Sequence, residues 1–204
     1  MPAGRAPARN IAVDVLAPTD NLSGYKLVLA PPLYVLPEAV AANLERYVRG
    51  GGTVVCFFRS GVKDESNAVV DQPLPGLLAQ VCGIEVSEYD SLPEGATNGL
   101  RWTTRELEGV VPGVAVAWAD ILAPRGAEVI AEYTQDYYAG QPAITSNRYG
   151  AGKAIYIGTV GDEATHATLA DWLIRSTGLA APLGVPAGVE VTSRHDGSRT
   201  LMFV

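Results

Sequence analysis

The sequence of 204 residues is short of several things, and each shortage removes a class of function. It holds two cysteines, Cys56 and Cys82. They are too few and too far apart in sequence for a disulfide framework or a CxxC metal site. Both stand in apolar runs, where a buried, reduced thiol is expected. Basic residues are outnumbered, 15 Lys+Arg against 22 Asp+Glu, for a net charge of −7, and nowhere do they form a run. A surface for nucleic-acid phosphates or anionic lipid needs the opposite balance, so neither partner is expected. No apolar run approaches the ~20 residues that cross a bilayer. The opening MPAGRAPARN lacks the apolar core of a signal peptide, and residues 1–10 read as a linker or a remnant of expression. A soluble, cytoplasmic protein is expected from these features.

What is present is enough for a core. Apolar residues make up 48% and charged residues 18%, and a chain of this length buries roughly 70% of its unfolded surface without disulfide or metal staples. Residues 11–18, IAVDVLAP, read as a strand. KLVLA at 26–30, bounded by Gly24 and Pro31, reads as a short strand buried on both faces. After Pro37, the residues Val40, Leu44, Tyr47 and Val48 recur at the spacing of one helical face, and Gly50–Gly52 stop the helix. TVVCFF at 53–58 is the next strand, which completes a βαβ unit and predicts a parallel sheet. Beyond it the grammar changes. A short helix at 74–81 closed by Gly83 is followed by strands at 84–89, 100–103, 113–121 and 127–133, with Gly and Pro between them, as in an antiparallel extension. Residues 142–145 and 153–159 form a hairpin through a glycine-rich turn. Asp162 caps a helix running to Thr177, ended by Gly178. Residues 189–193 and 200–204 make a last hairpin with nothing else to pack on.

Several constellations are candidates for chemistry. Cys56, His166 and Glu163 are the members available for an amidotransferase-like Cys-His hydrolase. Such a nucleophile needs a strained strand-to-helix turn flanked by small residues. Cys56 lies inside TVVCFF instead, and His166 falls at the margin of a helical stripe. His195 sits in the RHDGS turn, where solvation is expected. The acid pairs Asp64/Glu65, Glu85/Glu88 and Asp162/Glu163 lack the convergence on one substrate that glycoside cleavage requires. Gly50–Gly52 and Tyr149–Lys153 have neither the order nor the spacing of phosphate-binding loops. No cofactor and no metal site is expected. The loop from Arg59 to Asn67 is the most informative segment. Arg59-Ser60-Gly61 leaves the carboxyl end of a parallel strand, where open α/β sheets place their ligands. Arg59, Asp64 and Glu65 are expected there as a charge-paired cluster that fixes the loop or meets a partner. A free-standing carbohydrate-binding module is a further alternative, resting on tryptophan and tyrosine content alone.

The stretch YKLVLAPPLYVLPEAVAANLERYVRGGGTVVCFFRSGVKDESN, Tyr25 to Asn67, resembles the middle domain of glycoside hydrolase family 42 β-galactosidases. PAITSNRYGAGKAIYIGT, Pro142 to Thr159, is similar to a second stretch of that domain, and GVEVTSRHDGSRTLMFV resembles the start of the small C-terminal β-domain. The resemblance implies a trimerisation-type α/β domain over 11–180. Its fold would be flavodoxin-like or class I glutamine-amidotransferase-like: a parallel sheet with helices on both faces, plus additional antiparallel strands. Residues 181–204 would be a linker and the start of a truncated C-terminal β-domain. The implied partners are copies of itself in a homotrimer and a TIM-barrel catalytic domain of the same parent. That barrel carries the glutamates of a retaining mechanism, and a barrel typically needs ~250 residues by itself. This chain is therefore expected to be inactive alone. Tyr34, Tyr47, Trp102, Trp118, Tyr137, Tyr138 and Trp172 are the aromatic anchors available to an interface.

Overall fold

A computed structural model describes residues 9–186 and 188–204, with the side chain of His195 also set aside. The linker expected over 1–10 therefore lies largely outside the described residues, as does the expected solvation of His195. The chain runs β1 (Leu27–Ala30), α1 (Glu38–Arg49), β2 (Thr53–Phe57) and α2 (Ala79–Cys82). It continues through β3 (Ile84–Ser91), β4 (Asn98–Trp102), β5 (Gly113–Pro124), β6 (Glu128–Tyr133), β7 (Pro142–Tyr149), β8 (Gly152–Ile157) and β9 (Thr159–Gly161). Then follow α3 (Glu163–Thr177), β10 (Thr192–His195) and β11 (Thr200–Phe203).

The βαβ unit forms as its residues dictate. On α1, Val40, Ala41, Leu44, Tyr47 and Val48 are buried, one stripe of a 3.6-residue period. The Tyr47 hydroxyl donates to the carbonyls of Tyr25 and Thr53 at 3.0 and 3.2 Å, which ties the helix to the start of both strands. β1 pairs with β2 in parallel, and β8 adds in parallel on the other side of β2. The fold is a mixed α/β one.

Parallel pairing ends there. The sheet order is β1-β2-β8-β7-β6-β4-β5-β3, and from β8 to β3 every neighbouring pair is antiparallel. The expectation of a parallel sheet with an antiparallel extension is corrected in proportion, since antiparallel strands make up most of it. The cause is connection length. A parallel neighbour needs a crossover of a dozen or more residues, whereas a hairpin joins antiparallel strands directly. Gly158 breaks the last parallel strand, and β9 leaves β8 to pair with β5. A Cβ at Gly158 would sit 2.8 Å from the Ala143 carbonyl oxygen, so only glycine fits this crossing. The antiparallel half consequently curls back on itself.

Alternating residues of β2 and β8 feed two cores. Val54, Cys56, Ala154 and Tyr156 join α1 and α2 on one face. Val55, Ile155 and Ile157 join Leu169, Trp172 and Leu173 of α3 on the other. Helices thus cover both faces. Asp162 caps α3 by accepting from the Thr165 N–H at 2.8 Å, and Gly178 ends it with φ 62°.

One further expectation is corrected. Residues 11–18 form no strand. They carry no regular secondary structure up to a turn at Pro18, with Val13 80% and Val15 98% exposed. Alternation prescribes two faces but supplies no pairing partner. The segment is fastened by other means: Arg9 pairs with Asp171 at 2.5 Å, and the Asn43 amide donates to the carbonyls of Pro18 and Asp20. The cysteines, distant in sequence, are neighbours in space. Both are buried free thiols in one core, and hydrogen bonding to Cys56 together with burial pushes the Cys82 thiol well up. The terminal hairpin forms as a two-stranded antiparallel sheet of its own, β10 with β11.

Candidate interaction site

The carboxyl ends of β1 and β2 carry two loops that are fastened to each other. Ser60, 1% exposed, donates through Oγ to the Phe57 carbonyl at 2.7 Å and accepts the Leu33 N–H at 3.2 Å. The N–H of Gly61 reaches the Leu33 carbonyl, and that of Lys63 reaches the Tyr34 carbonyl, both at 2.9 Å. Arg59 stands between with φ 57°, the left-handed region that non-glycine residues seldom enter. Its guanidinium lies 4.6 Å from the Trp118 ring centroid and 5.0 Å from that of Tyr34. Lys63 Nζ lies 5.7 Å from the same tyrosine ring. The Tyr89 ring stacks on Trp118 at 5.0 Å and 15°. Tyr89 pairs with Asp120 across β3 and β5, so Trp118, two residues along, is its diagonal same-face neighbour. A continuous ladder results: Tyr89, Trp118, Arg59, Tyr34, Lys63.

A buried acid holds this ladder. Asp120 is 3% exposed, and its Oδ1 accepts the Trp118 indole N–H at 2.7 Å. Its Oδ2 accepts the Tyr156 hydroxyl at 2.9 Å and the Arg59 backbone N–H at 3.3 Å. Burial pushes the Asp120 carboxyl above the usual range. Those three donors and the Arg59 charge pull against that shift without cancelling it. Tyr156 is pushed well up, by burial first and then by the neighbouring Asp120 charge. The Tyr133 hydroxyl closes the network by donating to the Asp120 carbonyl at 3.1 Å.

Sequence reasoning singled out Arg59 and missed Asp120 and Tyr89. The signal for Asp120 was a lone acid in the apolar strand GVAVAWADILAP, with a tryptophan two residues before it on the same face. The charge-paired cluster of Arg59, Asp64 and Glu65 does not form. Asp64 accepts from the backbone N–H groups of Ser66 and Ala68 within its own turn, and Glu65 is exposed. Among the described residues, neither acid makes an ion pair with Arg59. The left-handed backbone of Arg59 carries its side chain over Trp118 instead.

Cys56, His166 and Glu163 are not brought together. Cys56 faces α1 and α2, whereas His166 and Glu163 are exposed on α3, which packs on the opposite face. The sheet stands between them. Of the aromatic anchors, Tyr47, Tyr138 and Trp172 belong to the core, while Tyr137 is 68% exposed. A shallow cleft of about 330 Å³, lined by Glu106, Glu128, Arg148, Lys153 and Trp172, lies at the opposite end of the parallel strands. Among the described residues, no cluster of His, Cys, Asp and Glu could hold a metal ion, and no helix is long and apolar enough to cross a membrane.

Comparison with known proteins places this architecture. The family model described as the β-galactosidase trimerisation domain matches residues 5–181. β-Galactosidase BgaB of Geobacillus sp. is 38% identical over 92% of this chain, and BgaA of Planococcus sp. is 35% identical over 96%. The chain spans only 27% and 29% of those two proteins. The crystal structure of a β-galactosidase from Bacillus circulans superposes with a TM-score of 0.89 at 33% identity, covering 96% of this chain and 29% of that one. The segment matched in each relative is thus one domain's worth, and this chain belongs to the β-galactosidase trimerisation domain family.

Proposed function

We propose that this chain is the non-catalytic assembly domain of a cytoplasmic β-galactosidase of glycoside hydrolase family 42. It holds three copies together while a TIM-barrel domain of the same parent cleaves β-galactosides. The single observation that carries the reading is the trimerisation-domain match over residues 5–181. The domain unit is taken as 11–180, preceded by a linker over 1–10. Residues 181–204 are taken as a linker leading to the first hairpin of a small β-domain. In support, β10 and β11 pair only with each other among the described strands, and Leu201, Met202 and Phe203 stay half exposed. A flavodoxin-like or amidotransferase-like ancestry is supported by the β1-β2-β8 parallel core, with α1 and α2 on one face and α3 on the other. Within this reading Arg59 is an interface residue, and Asp64 and Glu65 shape its loop. No residue of the chain is assigned a catalytic role.

Sedimentation velocity of the chain at tens of micromolar tests the assembly. The expected species has a mass of about 64 kDa, three times 21.4 kDa. A monomer throughout that concentration range would refute it.

A further inference from the structure

We infer that the ladder Tyr89–Trp118–Arg59–Tyr34–Lys63 is the surface on which a second copy of this chain docks, through an acidic face of that copy. The inference rests on the assembly reading above and deepens it by naming the contact. Three observations lead to it.

The residue types are those that dominate protein interfaces. Trp, Tyr and Arg carry most of the binding energy at hot spots, and here they form one unbroken stack. Tyr89 is 60% exposed and Arg59 is exposed, so the stack faces outward.

The stack is also held rigid from behind. Trp118 is fixed through its indole N–H by Asp120, the Arg59 backbone by the same carboxylate, and the Tyr34 and Lys63 loops by each other. Side chains already ordered in the free protein lose little entropy when a partner arrives. A surface that only met water would gain nothing from a buried carboxylate and a left-handed arginine.

The charge then selects the partner. Arg59 and Lys63 bring two cations to the one Tyr34 ring, and neither forms an ion pair with a carboxylate among the described residues. The Lys63 ammonium donates to the neutral Asn67 amide oxygen. The chain as a whole carries a net charge of −7. A cationic patch on an acidic protein is complementary to the rest of that protein, so another copy supplies the carboxylates. Two cationic patches repel each other, so the contact pairs unlike surfaces and is heterologous, the kind that closes into a ring of three.

Sedimentation velocity on the wild-type chain, Arg59→Asn, Tyr89→Ala and Arg148→Glu tests the assignment. Asn tolerates the left-handed backbone of position 59. Among the described residues Tyr89 makes no side-chain hydrogen bond, and Arg148 is exposed at the far end of the strands. The expected result is that R59N and Y89A, with wild-type circular dichroism, each weaken the trimer at least about tenfold, while R148E does not. Raising the salt from about 50 to about 500 mM is expected to weaken the wild-type trimer as well. A wild-type trimer that both folded variants match would overturn this docking surface and leave the assembly reading standing. A wild-type monomer would overturn both. Quenching of tryptophan fluorescence by galactose, abolished by Y89A without any change in assembly, would assign the ladder to a sugar and overturn the inference.

Discussion

Replacing Tyr156 by Phe isolates the price of keeping Asp120 ionised inside the fold. The hydroxyl removed donates to Asp120 Oδ2 at 2.9 Å, and the two residues are 1% and 3% exposed, so water cannot substitute for it. The loss leaves a void of one oxygen atom and disturbs no packing. A hydrogen bond to a charged group contributes about 1.5–3 kcal/mol, and the carboxylate would keep only the Trp118 and Arg59 N–H donors. At roughly 2–4 °C per kcal/mol for a domain of this size, the melting temperature should fall by roughly 3–12 °C at about pH 7. Burial holds the folded pKa of Asp120 above its unfolded value. The stability linked to this group is therefore complete below the unfolded carboxylate range and is lost as pH rises through the folded pKa. Y156F removes a bond to the ionised form, which raises that pKa further. The deficit of the variant should thus be largest where Asp120 is ionised and shrink as the pH falls through its raised folded pKa. Calorimetric scans of both proteins across that range measure it. A deficit that is the same at both ends, or absent at neutral pH, would refute the claim that Asp120 is a buried, ionised anchor.

Other substitutions probe the frame around it. Thr145 is fully buried and its hydroxyl has no hydrogen-bond partner among the described residues, so Thr145→Val should raise stability by about 1 kcal/mol in urea unfolding. Gly61 has φ +70°, and a Cβ there would lie 2.2 Å from the Pro75 carbonyl oxygen; Gly61→Ala should cost roughly 2–5 kcal/mol by the same measurement. Cys56 and Cys82 should resist iodoacetamide in the native protein at about pH 7.5 and react on unfolding, read by mass spectrometry, because both are buried and the Cys82 thiol is pushed up.

How much of this was legible depends on the range of the interaction. Local patterns sufficed where the element satisfied itself. The α1 stripe, the Asp162 cap and the glycine stops at 83 and 178 each depend on residues within a turn of one another, and the structure has them where the sequence put them. Pairing was harder. IAVDVLAP and KLVLA look equally strand-like, but only the second finds a neighbour, and that neighbour, β2, is set by the α1 crossover. The direction of β8 relative to β2 was not readable either, because the hairpin fixes β8 against β7 and says nothing about its other edge. Resemblance, not periodicity, reached the domain's role.

The ladder shows the same divide more sharply. Arg59 was visible as a residue at the end of a parallel strand, and a charged loop with Asp64 and Glu65 in it suggested the wrong partners. The right ones are Tyr34, in the loop after β1, and Trp118 of β5, which Tyr89 of β3 backs at a cross-strand register that no local spacing encodes. Yet the chemistry left a trace. An ionised side chain in the middle of an apolar strand is several kcal/mol out of place unless donors surround it. Its presence at Asp120 therefore required a set of N–H and O–H groups from elsewhere, and Trp118, Tyr156 and the Arg59 backbone are that set. The left-handed arginine costs roughly 1–2 kcal/mol, on the scale of the hydrogen bond its N–H makes to the carboxylate. Two locally unfavourable choices thus support each other. In a domain whose remaining core mixes aliphatic and aromatic side chains, that mutual support is spent on presenting the exposed Tyr89 ring, the half-buried Trp118 ring and a guanidinium in one fixed arrangement.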